Sequence, residues 1–444
     1  MAQKNGKYDL IVVGSGPGGA TVAREAALKG KKVLLLERGS ADPITGSPVQ
    51  AASMMGIPGQ SMLFTYKGLS MVRGIGAGGS SVFYYATAFE PPYAMLKSHG
   101  VDIREDVEAV KSEIPIAPLD DRLIGPMARR IANSATELGY DWNKLPKYVF
   151  QDKCQPGCDR CNLGCPHGAK WTARNFIEQA VETGAKFIPR ARVRRVLTEG
   201  GKAVGVAFTR RGTEHKAYAD CVVLSAGGIG TPEVLRASGI PEAGYDYFFD
   251  PLIAVFGPAD VKGGAEFPMA MGVHMEDEGY LMTDMTLPRL LYQAFASQVL
   301  RFDRLAAHSK TLTIMVKAKD SLGGRLTDSG GVRKHLDPTD AAKLAKGYER
   351  AKGILKNAGA KHIFKSWYIA AHPGGTAKIG DVVDSDLKTK IDNLYVCDCS
   401  VIPEPWGLPP TLTLLALGRR LARQLTAGAA KAATKKKKGD EKAA

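Results

Sequence analysis

The sequence of 444 residues has no long apolar run and no apolar leader. No stretch reaches the roughly eighteen uncharged apolar residues that a membrane-crossing helix needs. The N-terminal residues, MAQKNGKYDL, lack the apolar segment of a secretory signal. We therefore expect a cytoplasmic protein without a transmembrane segment. At this length, with 44% hydrophobic residues, we expect about two folded domains.

Aromatic residues are also few, at 7% of the chain, and they are not interleaved with the basic residues. The net charge is +15, but a surface for nucleic acid needs aromatic rings among its basic side chains. We therefore expect no nucleic-acid partner.

Part of the charge lies in a Lys-rich tail, residues 427–444, whose low complexity predicts disorder. The tail is either a solvated end or an anchor for anionic lipid or an acidic partner.

The segment YDLIVVGSGPGGATVAREAALKGKKVLLLERG, residues 8–39, predicts a strand, a tight turn, a helix and a second strand. Gly14, Gly16 and Gly19 form the G-x-G-x-x-G pattern, whose glycines permit the turn, the approach of a pyrophosphate and close helix–strand packing. The pyrophosphate would lie at the helix N-terminus. Glu37 ends the second strand, where a carboxylate accepts hydrogen bonds from the adenosine ribose. The segment predicts a site for NAD or FAD, and its early place in the chain favours FAD.

Two further segments place glycine-rich backbone after apolar residues. RGIGAGGSS, residues 73–81, offers bare backbone and hydroxyls to a cofactor. CVVLSAGGIGTPEVLRASGI, residues 221–240, predicts a strand, a turn and a helix that we expect to open at Thr231 and Pro232, because proline favours the first helical position. After Tyr245 the chain changes to alternating apolar runs such as TLTIMVKAK. We therefore predict an α/β fold with a second, sheet-rich domain.

Four of the seven cysteines, Cys154, Cys158, Cys161 and Cys165, lie in KCQPGCDRCNLGCPHGAK. Their C-x3-C-x2-C-x3-C-P spacing is close to that of a bacterial ferredoxin. Four thiolates this close in a cytoplasmic chain favour a metal centre over disulfides. We predict an iron–sulfur cluster, either [4Fe–4S] or [3Fe–4S], and leave open whether all four cysteines bind one cluster. A structural zinc site and metal-free thiols are the alternatives.

Near the C-terminus, the segment AHPGGT places His372 in a turn bounded by glycines. A strand, NLYVCDCSVIP, and a helix, TLTLLALGRRLARQL, follow it, and the helix begins at Pro410 and Thr411. The free N–H groups and the dipole of such a helix N-terminus would stabilise a nearby anion.

Together these segments resemble the glucose–methanol–choline (GMC) oxidoreductase family, FAD-dependent enzymes that take a hydride from an alcohol. The motifs that carry the resemblance are GSGPGG with Glu37, GAGGSS, LSAGGIGTPEVLRASGI and HPGGTAKIG…NLYVCDCSVIPEPWGLPPTLTLLALG. It extends from Tyr8 to about Leu425, and GCPHGAK is most similar to the long-chain alcohol oxidase branch. The resemblance implies FAD and a Rossmann-like FAD-binding domain with a smaller antiparallel-sheet substrate domain.

The resemblance also implies site residues. The first glycine turn would hold the ADP half of FAD, Val193 would meet the adenine through its backbone, and the start of the last helix would meet the flavin pyrimidine. The complete set of implied cofactor contacts is Gly14, Gly16, Pro17, Gly18, Gly19, Glu37, Arg38, Gly78, Gly79, Ser80, Val193, Ala226, Gly227, Asp398, Pro410, Thr411 and Leu412. His372 aligns with the catalytic base of the family, which accepts the substrate hydroxyl proton as hydride passes to flavin N5.

Two positions depart from the family pattern. Pro409 stands where the family has a second catalytic His or Asn, so another group, such as Tyr368 or Trp406, would have to orient the substrate. Tyr84 replaces the Asn that follows GGSS, which changes the surroundings of flavin N5.

We expect an FAD-dependent dehydrogenase that oxidises a small-molecule alcohol and passes electrons singly, through the cluster, to a redox partner protein or complex subunit. One alternative is a flavin and iron–sulfur reductase of a carbonyl or an activated C=C bond. The other is an electron-transfer flavoprotein subunit of a larger complex. The expected FAD-binding domain comprises residues 1–92, 186–242 and 369–426, with a helical, Cys-rich insert at 93–185 (cluster site at 154–165), a substrate domain at 243–368 and the tail at 427–444.

Overall fold

A computed structural model of the chain describes residues 7–65, 69–328 and 331–440, with side chains up to residue 427. Its strands are β1 (Tyr8–Val13), β2 (Val33–Leu36), β3 (Met62–Phe64), β4 (Ser70–Val72), β5 (Ile116–Pro118), β6 (Asn143–Lys144), β7 (Pro146–Tyr148), β8 (Lys186–Ile188), β9 (Arg192–Glu199), β10 (Lys202–Arg210), β11 (Thr213–Leu224), β12 (Tyr245–Tyr247), β13 (Pro251–Pro258), β14 (Met271–Met275), β15 (Tyr280–Asp284), β16 (Thr311–Ala318), β17 (Gly323–Leu326), β18 (Val332–Arg333), β19 (Phe364–Lys365), β20 (Ile369–Ala370) and β21 (Leu394–Val396).

The helices are α1 (Pro17–Leu28), α2 (Pro48–Met55), α3 (Tyr93–Ser98), α4 (Arg104–Glu113), α5 (Pro126–Glu137), α6 (Ala173–Glu182), α7 (Gly227–Arg236), α8 (Arg289–Gln298), α9 (Pro338–Asn357) and α10 (Thr411–Asp440). Short 3₁₀ turns include Gly79–Val82, Cys161–Leu163 and Cys399–Val401. None of the helices in the described part of the chain has the length and apolar character that a membrane crossing requires. The predicted Lys-rich tail falls on the end of α10, where side chains are not described, and on residues 441–444, outside the described residues.

The first sheet joins strands from three separate parts of the chain. Its order is β8-β2-β1-β11-β10-β9, and β21 pairs with the end of β11. Because β1 is parallel to both β2 and β11, the carboxyl ends of these strands meet at one edge. The strands β1 and β2 are almost wholly buried, as expected for a parallel sheet covered on both faces. In such sheets ligands bind beyond the carboxyl ends of the strands.

Helices α1 and α10 pack closely together against this sheet. A Cβ added at Gly418 of α10 would lie 2.8 Å from the carbonyl oxygen of Gly18, in the first turn of α1. A larger side chain at residue 418 would push the helices apart, so glycine permits the approach. The contact fixes α10 relative to the turn that begins α1.

Helix α7 begins earlier than the sequence predicts. We expect it to open at Thr231 and Pro232, but it begins at Gly227, and Pro232 lies inside it. Proline has no N–H to donate to the carbonyl four residues earlier, which is that of Gly228. This carbonyl accepts a 2.7 Å hydrogen bond from the hydroxyl of Thr376 instead. A distant side chain thus replaces the missing helical bond.

The second sheet is mostly antiparallel and is covered on both faces. Its order is β3-β4-β20-β13-β16-β15-β14-β6. Successive residues of a strand point to opposite faces. Ile253 and Ile314 therefore pack in one apolar cluster with α5 and α9, while Ala254 and Met315 pack in another with α8. The two sheets confirm the predicted fold class, a Rossmann-like α/β domain with an antiparallel-sheet second domain.

The predicted domain boundaries stay a prediction. Strands β1, β2, β8 to β11 and β21 of the first sheet all come from the segments assigned to the cofactor domain. Strands β3 and β4 come from the first of these segments as well, yet β4 pairs with β20 in the second sheet. The chain therefore passes between the sheets near residue 60.

Candidate FAD and substrate site

The first glycine turn, Gly14–Gly19, is close-packed on two sides and open on a third. Gly14 has a φ of +98°, and an added Cβ there would clash with the carbonyl of Ser225. A Cβ at Gly19 would clash with the carbonyl of Gly14, whereas one at Gly16 would meet nothing within 4 Å. Gly16 is the N-cap of α1, with no side-chain cap, and Pro17 follows it. Backbone donors and the positive end of the helix therefore face open space, which fits a pyrophosphate.

Glu37, at the carboxyl end of β2, is buried and joins this turn to its neighbours. Its carboxylate accepts hydrogen bonds from the N–H of Ser15 (3.1 Å), the hydroxyl of Ser15 (2.6 Å) and the N–H of Gly39 (2.8 Å). Burial raises the pKa of Glu37, and these hydrogen bonds oppose the rise. The Glu37 carbonyl accepts the N–H of Ala191 at 2.8 Å, two residues before the buried Val193. The two predicted adenosine contacts, Glu37 and Val193, thus lie on adjoining segments.

The second glycine loop, residues 73–81, lies against the first turn. Gly78 and Gly79 have φ angles of +91° and +57°. The N–H of Gly78 donates to the hydroxyl of Ser15 at 3.3 Å, and a Cβ at Gly79 would lie 3.2 Å from Cα of Gly16. Ser80 is exposed, and its hydroxyl accepts an N–H from within the loop at 3.0 Å. The predicted pyrophosphate turn and the predicted flavin-lining loop are therefore adjacent.

Asp398 joins the third glycine turn, Ala226–Gly228, to the segment after β21. Its carboxylate accepts the N–H of Gly227 (2.8 Å), the N–H of Ser400 (2.8 Å) and the hydroxyl of Thr231 (2.5 Å). Burial raises the pKa of Asp398, against these hydrogen bonds. Gly227 has a φ of +79°, and an added Cβ would meet nothing within 4 Å. This turn, like the first, presents bare backbone to open space.

Three arginine side chains, Arg38, Arg73 and Arg192, lie near the three glycine turns. Burial lowers the pKa of Arg73 to about 10; Glu233 opposes the change, while Arg38 and Arg192 add to it. Three guanidinium groups that influence one another suit an anionic ligand such as a pyrophosphate.

The remaining predicted contacts lie at the start of α10. Thr411 and Leu412 are buried in its first turn, and the carbonyl of Pro410 accepts the N–H of Leu414 at 3.0 Å. With the bare backbone at Gly16 and Gly227 and the uncapped start of α1, the described residues fit FAD.

His372 contacts a buried ion pair, Asp250 and Lys317, at the second sheet. Its Nδ1 lies 3.0 Å from Oδ2 of Asp250, which directly precedes β13. Nζ of Lys317, within β16, lies 2.9 Å from the same oxygen and 3.3 Å from Nδ1. The side chains of Asp250 and Lys317 are each 1% exposed, and that of His372 is 25% exposed. Nδ1 of His372 thus faces the protein interior, while part of the ring surface is exposed to solvent.

Burial and charge set the protonation of this cluster. Burial lowers the pKa of His372, Lys317 lowers it further, and Asp250 opposes both. Burial raises the pKa of Asp250, but Lys317 and His372 outweigh burial, so that the pKa of this carboxyl is below its ordinary value. Burial lowers the pKa of Lys317 against the attraction of Asp250. His372 is therefore neutral near pH 7, beside an ionised carboxylate.

A second buried ion pair holds the backbone of Asp250. Asp320 accepts the N–H of Asp250 at 3.0 Å and that of Phe249 at 3.2 Å, and it pairs with Lys334 at 3.0 Å. Asp250 has a φ of +49°, in the left-handed region that Asp tolerates better than most residues. Asp250, whose carboxylate contacts His372, is therefore held through both its backbone and its side chain.

The turn that carries His372 packs directly on the third glycine turn. A Cβ added at Gly228 would clash with the carbonyl of Pro373. The hydroxyl of Thr376 donates to the carbonyl of Gly228 at 2.7 Å, and the N–H of Gly375 donates to the carbonyl of Cys399 at 3.1 Å. These contacts bring His372 beside the predicted FAD site.

The two departures from the family pattern have different surroundings. Pro409 is half-buried and offers no side-chain donor or acceptor. The hydroxyl of Tyr84 donates to the carbonyl of Trp171 at 2.8 Å, and its ring stacks on Tyr148 at 5.9 Å. Tyr84 therefore points into an aromatic group of the protein interior.

Of the two residues expected to orient a substrate, Trp406 packs beside the turn that follows His372. It packs with Phe248 and Cys399, which contact the turn after His372. Its Nε1 is buried and has no hydrogen-bond partner among the residues that the structure describes. Tyr368, by contrast, packs in apolar clusters of the second sheet. Trp406 is thus the available donor.

The four clustered cysteines line one cavity, together with Lys170 and Phe267. All seven cysteines are free thiols, and Cys161 is the most buried of the four. Burial raises the pKa of Cys154 to about 11 and that of Cys161 to about 12, and the neighbouring thiols add to both shifts. We call this place the thiol cavity.

Lys170 connects the thiol cavity to the residues that directly follow the second glycine loop. Its Nζ donates to the carbonyls of Cys161 (2.5 Å), Val82 (2.7 Å) and Tyr84 (3.0 Å). Val82 ends the 3₁₀ turn that contains Gly79. One lysine side chain therefore bridges the cysteine segment and the residues that follow the loop predicted to line the flavin.

The structure gives no support to the predicted metal ligands. Within the described ranges, no group of three or more His, Cys, Asp or Glu side chains is arranged to hold a metal ion. This applies to the iron–sulfur cluster and to the zinc alternative alike. The spacing of the cysteines brings them to one cavity, but it does not by itself direct their sulfurs to one point.

Two residues of the site, Asp250 and Lys317, were not recognised from the sequence. A signal was present, because TLTIMVKAK places a lysine directly after the apolar residues 314–316 of an expected strand. A charged side chain on a buried strand needs a partner of opposite charge. The partner itself could not be found without the pairing of β13 with β16.

Comparison with known proteins identifies the family of the chain. Two family models described as GMC oxidoreductase match residues 59–246 and 303–418, which together make up more than half of the chain. A GMC-type oxidoreductase of Mycobacterium tuberculosis is 27% identical over 482 residues, covering 95% of this chain and 76% of the relative. The long-chain-alcohol oxidase FAO3 of Arabidopsis thaliana is 22% identical, covering 95% of this chain and 69% of the relative.

Among solved structures, pyridoxine 4-oxidase from Mesorbium loti has the same fold. The TM-score is 0.72 at 18% identity, covering 94% of this chain and 98% of that one. The sequence resemblance, the fold and both family matches agree. The chain therefore belongs to the GMC oxidoreductase family, whose members are FAD-dependent enzymes that oxidise CH–OH groups.

Proposed function

We propose that this enzyme is a dehydrogenase that oxidises an alcohol with His372 as the base. Bound FAD supplies the hydride acceptor. His372 accepts the hydroxyl proton at Nε2, the ring nitrogen that does not face Asp250, as the carbinol carbon loses its hydride and becomes a carbonyl. The observation that carries the proposal is the packing of the His372 turn on the third glycine turn, through Thr376 and Gly228.

Trp406 would orient the substrate in place of the side chain that Pro409 lacks. Its buried Nε1 has no partner in the described part of the chain, and an unpaired buried donor is costly. A substrate hydroxyl near His372 would satisfy it. The indole also belongs to the apolar cluster of the second sheet that includes Met315 and Leu408, which suits an alcohol with an apolar body.

For the electron acceptor, we propose an iron–sulfur cluster in the thiol cavity, although the four sulfurs are not arranged around one point in the described residues and would have to reorient to bind it. The four thiols line one cavity, and Lys170 places a cation beside it and bonds the carbonyl of Val82, which follows the loop predicted to line the flavin. Such a cluster takes electrons singly and would pass them to a redox partner protein or a complex subunit. Purification without oxygen, followed by iron, sulfide and FAD analysis, tests this part. Stoichiometric zinc, or thiols without metal, would contradict it.

The alcohol oxidation is tested separately with a panel of alcohols and an artificial dye under anaerobic conditions. We expect at least one alcohol to reduce the bound flavin. We expect His372→Gln to slow that reduction by about 10²- to 10⁴-fold with FAD content unchanged. A protein that fails to bind FAD, or a His372→Gln variant as fast as the wild type, would refute the proposed role.

A second candidate function follows from Pro409. An enzyme that lacks the second polar group could work in the opposite direction, as a reductase of a carbonyl or an activated C=C bond. In that case no alcohol of the panel would reduce the flavin, and the chemically reduced enzyme would be reoxidised by an aldehyde, ketone or enone. The same panel therefore separates the two candidates.

A further inference from the structure

We propose that Asp250 and Lys317 are positioning residues that hold His372 with its proton on Nδ1 and its lone pair on Nε2. The inference rests on the proposed role of His372 as the base. Oδ2 of Asp250 lies 3.0 Å from Nδ1. An ionised carboxylate can only accept hydrogen bonds, so Nδ1 must donate for this contact to be favourable. The other nitrogen is then free to accept a proton.

Lys317 has a different role in the same cluster. Its Nζ lies 2.9 Å from Oδ2 of Asp250 and keeps that buried carboxylate ionised. It also lies 3.3 Å from Nδ1, where its charge disfavours a protonated ring. Asp250 stabilises the imidazolium that forms during the reaction, and Lys317 favours its return to the neutral form. His372 therefore returns to its neutral form after each turnover and can accept another proton.

The neighbouring charged groups are compatible with this arrangement. Behind Asp250 lie Asp320 and Lys334, which neutralise each other and hold the backbone N–H of Asp250. Cys399 lies in the 3₁₀ turn at 399–401. Burial raises the pKa of its thiol well above the ordinary value, so the thiol stays protonated and uncharged. Asp250 and Lys317 are therefore the main charged groups that act on the ring of His372.

The tautomer can be observed directly in FAD-loaded protein labelled with ¹⁵N-histidine. Long-range ¹H–¹⁵N spectra distinguish the two ring nitrogens, and the His372→Gln variant assigns the signals of His372 among the eight histidines. We expect a proton on Nδ1 and none on Nε2 at neutral pH. The reverse tautomer, in which Nδ1 accepts from Lys317, would overturn the proposal.

Two variants separate the roles. In Asp250→Asn the amide can donate to Nδ1, so we expect the tautomer to reverse and flavin reduction to fall by about 10²- to 10⁴-fold. In Lys317→Met we expect the titration midpoint of His372 to rise by about one unit, because a nearby cation is lost. The acid limb of the rate profile should move by the same amount.

Matched controls are available elsewhere in the chain. Glu266→Gln alters a buried carboxylate that bonds the backbone of α5, and Lys147→Met removes a buried lysine that bonds Thr87. Both should leave the tautomer and the midpoint of His372 unchanged. Equal effects of the control and test variants would show a general cost of altering buried charges and would overturn the proposal.

The outcomes distinguish this inference from the function on which it rests. If His372→Gln leaves flavin reduction unchanged, the proposed function fails. If His372→Gln slows reduction but Asp250→Asn neither reverses the tautomer nor slows the reaction, only the positioning role fails. Should Asp250→Asn not fold, the tautomer of the wild type and the titration of Lys317→Met decide the question.

Discussion

The hydroxyl of Thr376 donates a 2.7 Å hydrogen bond to the carbonyl of Gly228, 148 residues away along the chain. Both residues are buried, and Pro232 leaves this carbonyl without a helical partner. The bond joins the turn that carries His372 to the start of α7. The position of the base relative to the cofactor therefore depends on a contact between distant segments.

Thr376→Val should break this bond while keeping the shape of the side chain. Because the Gly228 carbonyl would be buried without a partner, we expect a loss of about 1–3 kcal/mol in the free energy of unfolding. We also expect flavin reduction to slow by about tenfold or more, since the base would lose its fixed position. Urea unfolding and stopped-flow absorbance measure the two effects. Thr376→Ser, which keeps the hydroxyl, is the control, and a Val variant as fast as the wild type would contradict the argument.

Two glycines of the first turn should respond differently to the same substitution. A Cβ at Gly16 meets open space, so Gly16→Ala should change the stability of the FAD-free protein by under about 1 kcal/mol. It should weaken FAD binding by about tenfold or more, because the methyl group occupies the place of the pyrophosphate.

Gly18→Ala is the matched comparison, because its Cβ would clash with the carbonyl of Cys397. We expect this variant to be destabilised by about 1–3 kcal/mol even without FAD. FAD titration by fluorescence quenching and thermal unfolding of the FAD-free proteins separate the two effects. Unchanged FAD affinity in Gly16→Ala would show that the pyrophosphate lies elsewhere.

The first glycine turn could be predicted because its signals are local. The strand Tyr8–Val13, the glycines and Glu37 follow one another at fixed offsets, and the structure has them in that order. The start of α7 could not be predicted in the same way. The preference of Pro232 for a first helical position is real, but a hydrogen bond from Thr376 compensates for the bond that proline cannot make.

The cluster around His372 lay beyond sequence reasoning for a different reason. Asp250 and Lys317 meet His372 through strand pairing between β13 and β16, and strand register depends on contacts distant in sequence. In the cysteine segment, by contrast, a local sequence pattern was present, but it did not determine the directions of the side chains. Its spacing predicts a metal centre, which the described residues do not support, because the loop conformation, which has no periodic pattern, sets the directions of the sulfurs.

Replacement of one clustered cysteine tests the thiol cavity. Cys161→Ser should abolish iron and sulfide binding and remove the broad visible absorbance that a cluster adds to the flavin bands. FAD content should stay the same, because the first glycine turn is unaltered. Cys221→Ser is the control, since Cys221 lies in β11 outside the cavity. Equal metal content in both variants would place any iron outside the thiol cavity.

The rate of flavin reduction should fall as the pH is lowered. His372 must be neutral to accept a proton, and burial and Lys317 lower its pKa. The midpoint of the acid limb should therefore lie below about 6.5, the ordinary value for histidine. Stopped-flow measurements with the reactive alcohol across this range give the midpoint. A midpoint above the ordinary value would mean that Asp250 outweighs both burial and Lys317.

The role of Trp406 can be tested by removing its donor and keeping its ring. Trp406→Phe should lower kcat/KM for the reactive alcohol by about 5- to 30-fold, because a hydrogen bond to the substrate hydroxyl contributes about 1–2 kcal/mol. Trp142→Phe is a matched control. Its Nε1 is also buried without a partner among the described residues, but it lies in the cluster with α5 and α9. If both variants lose the same activity, the effect reflects packing; if only Trp406→Phe loses it, the indole N–H supplies the substrate contact that Pro409 cannot make.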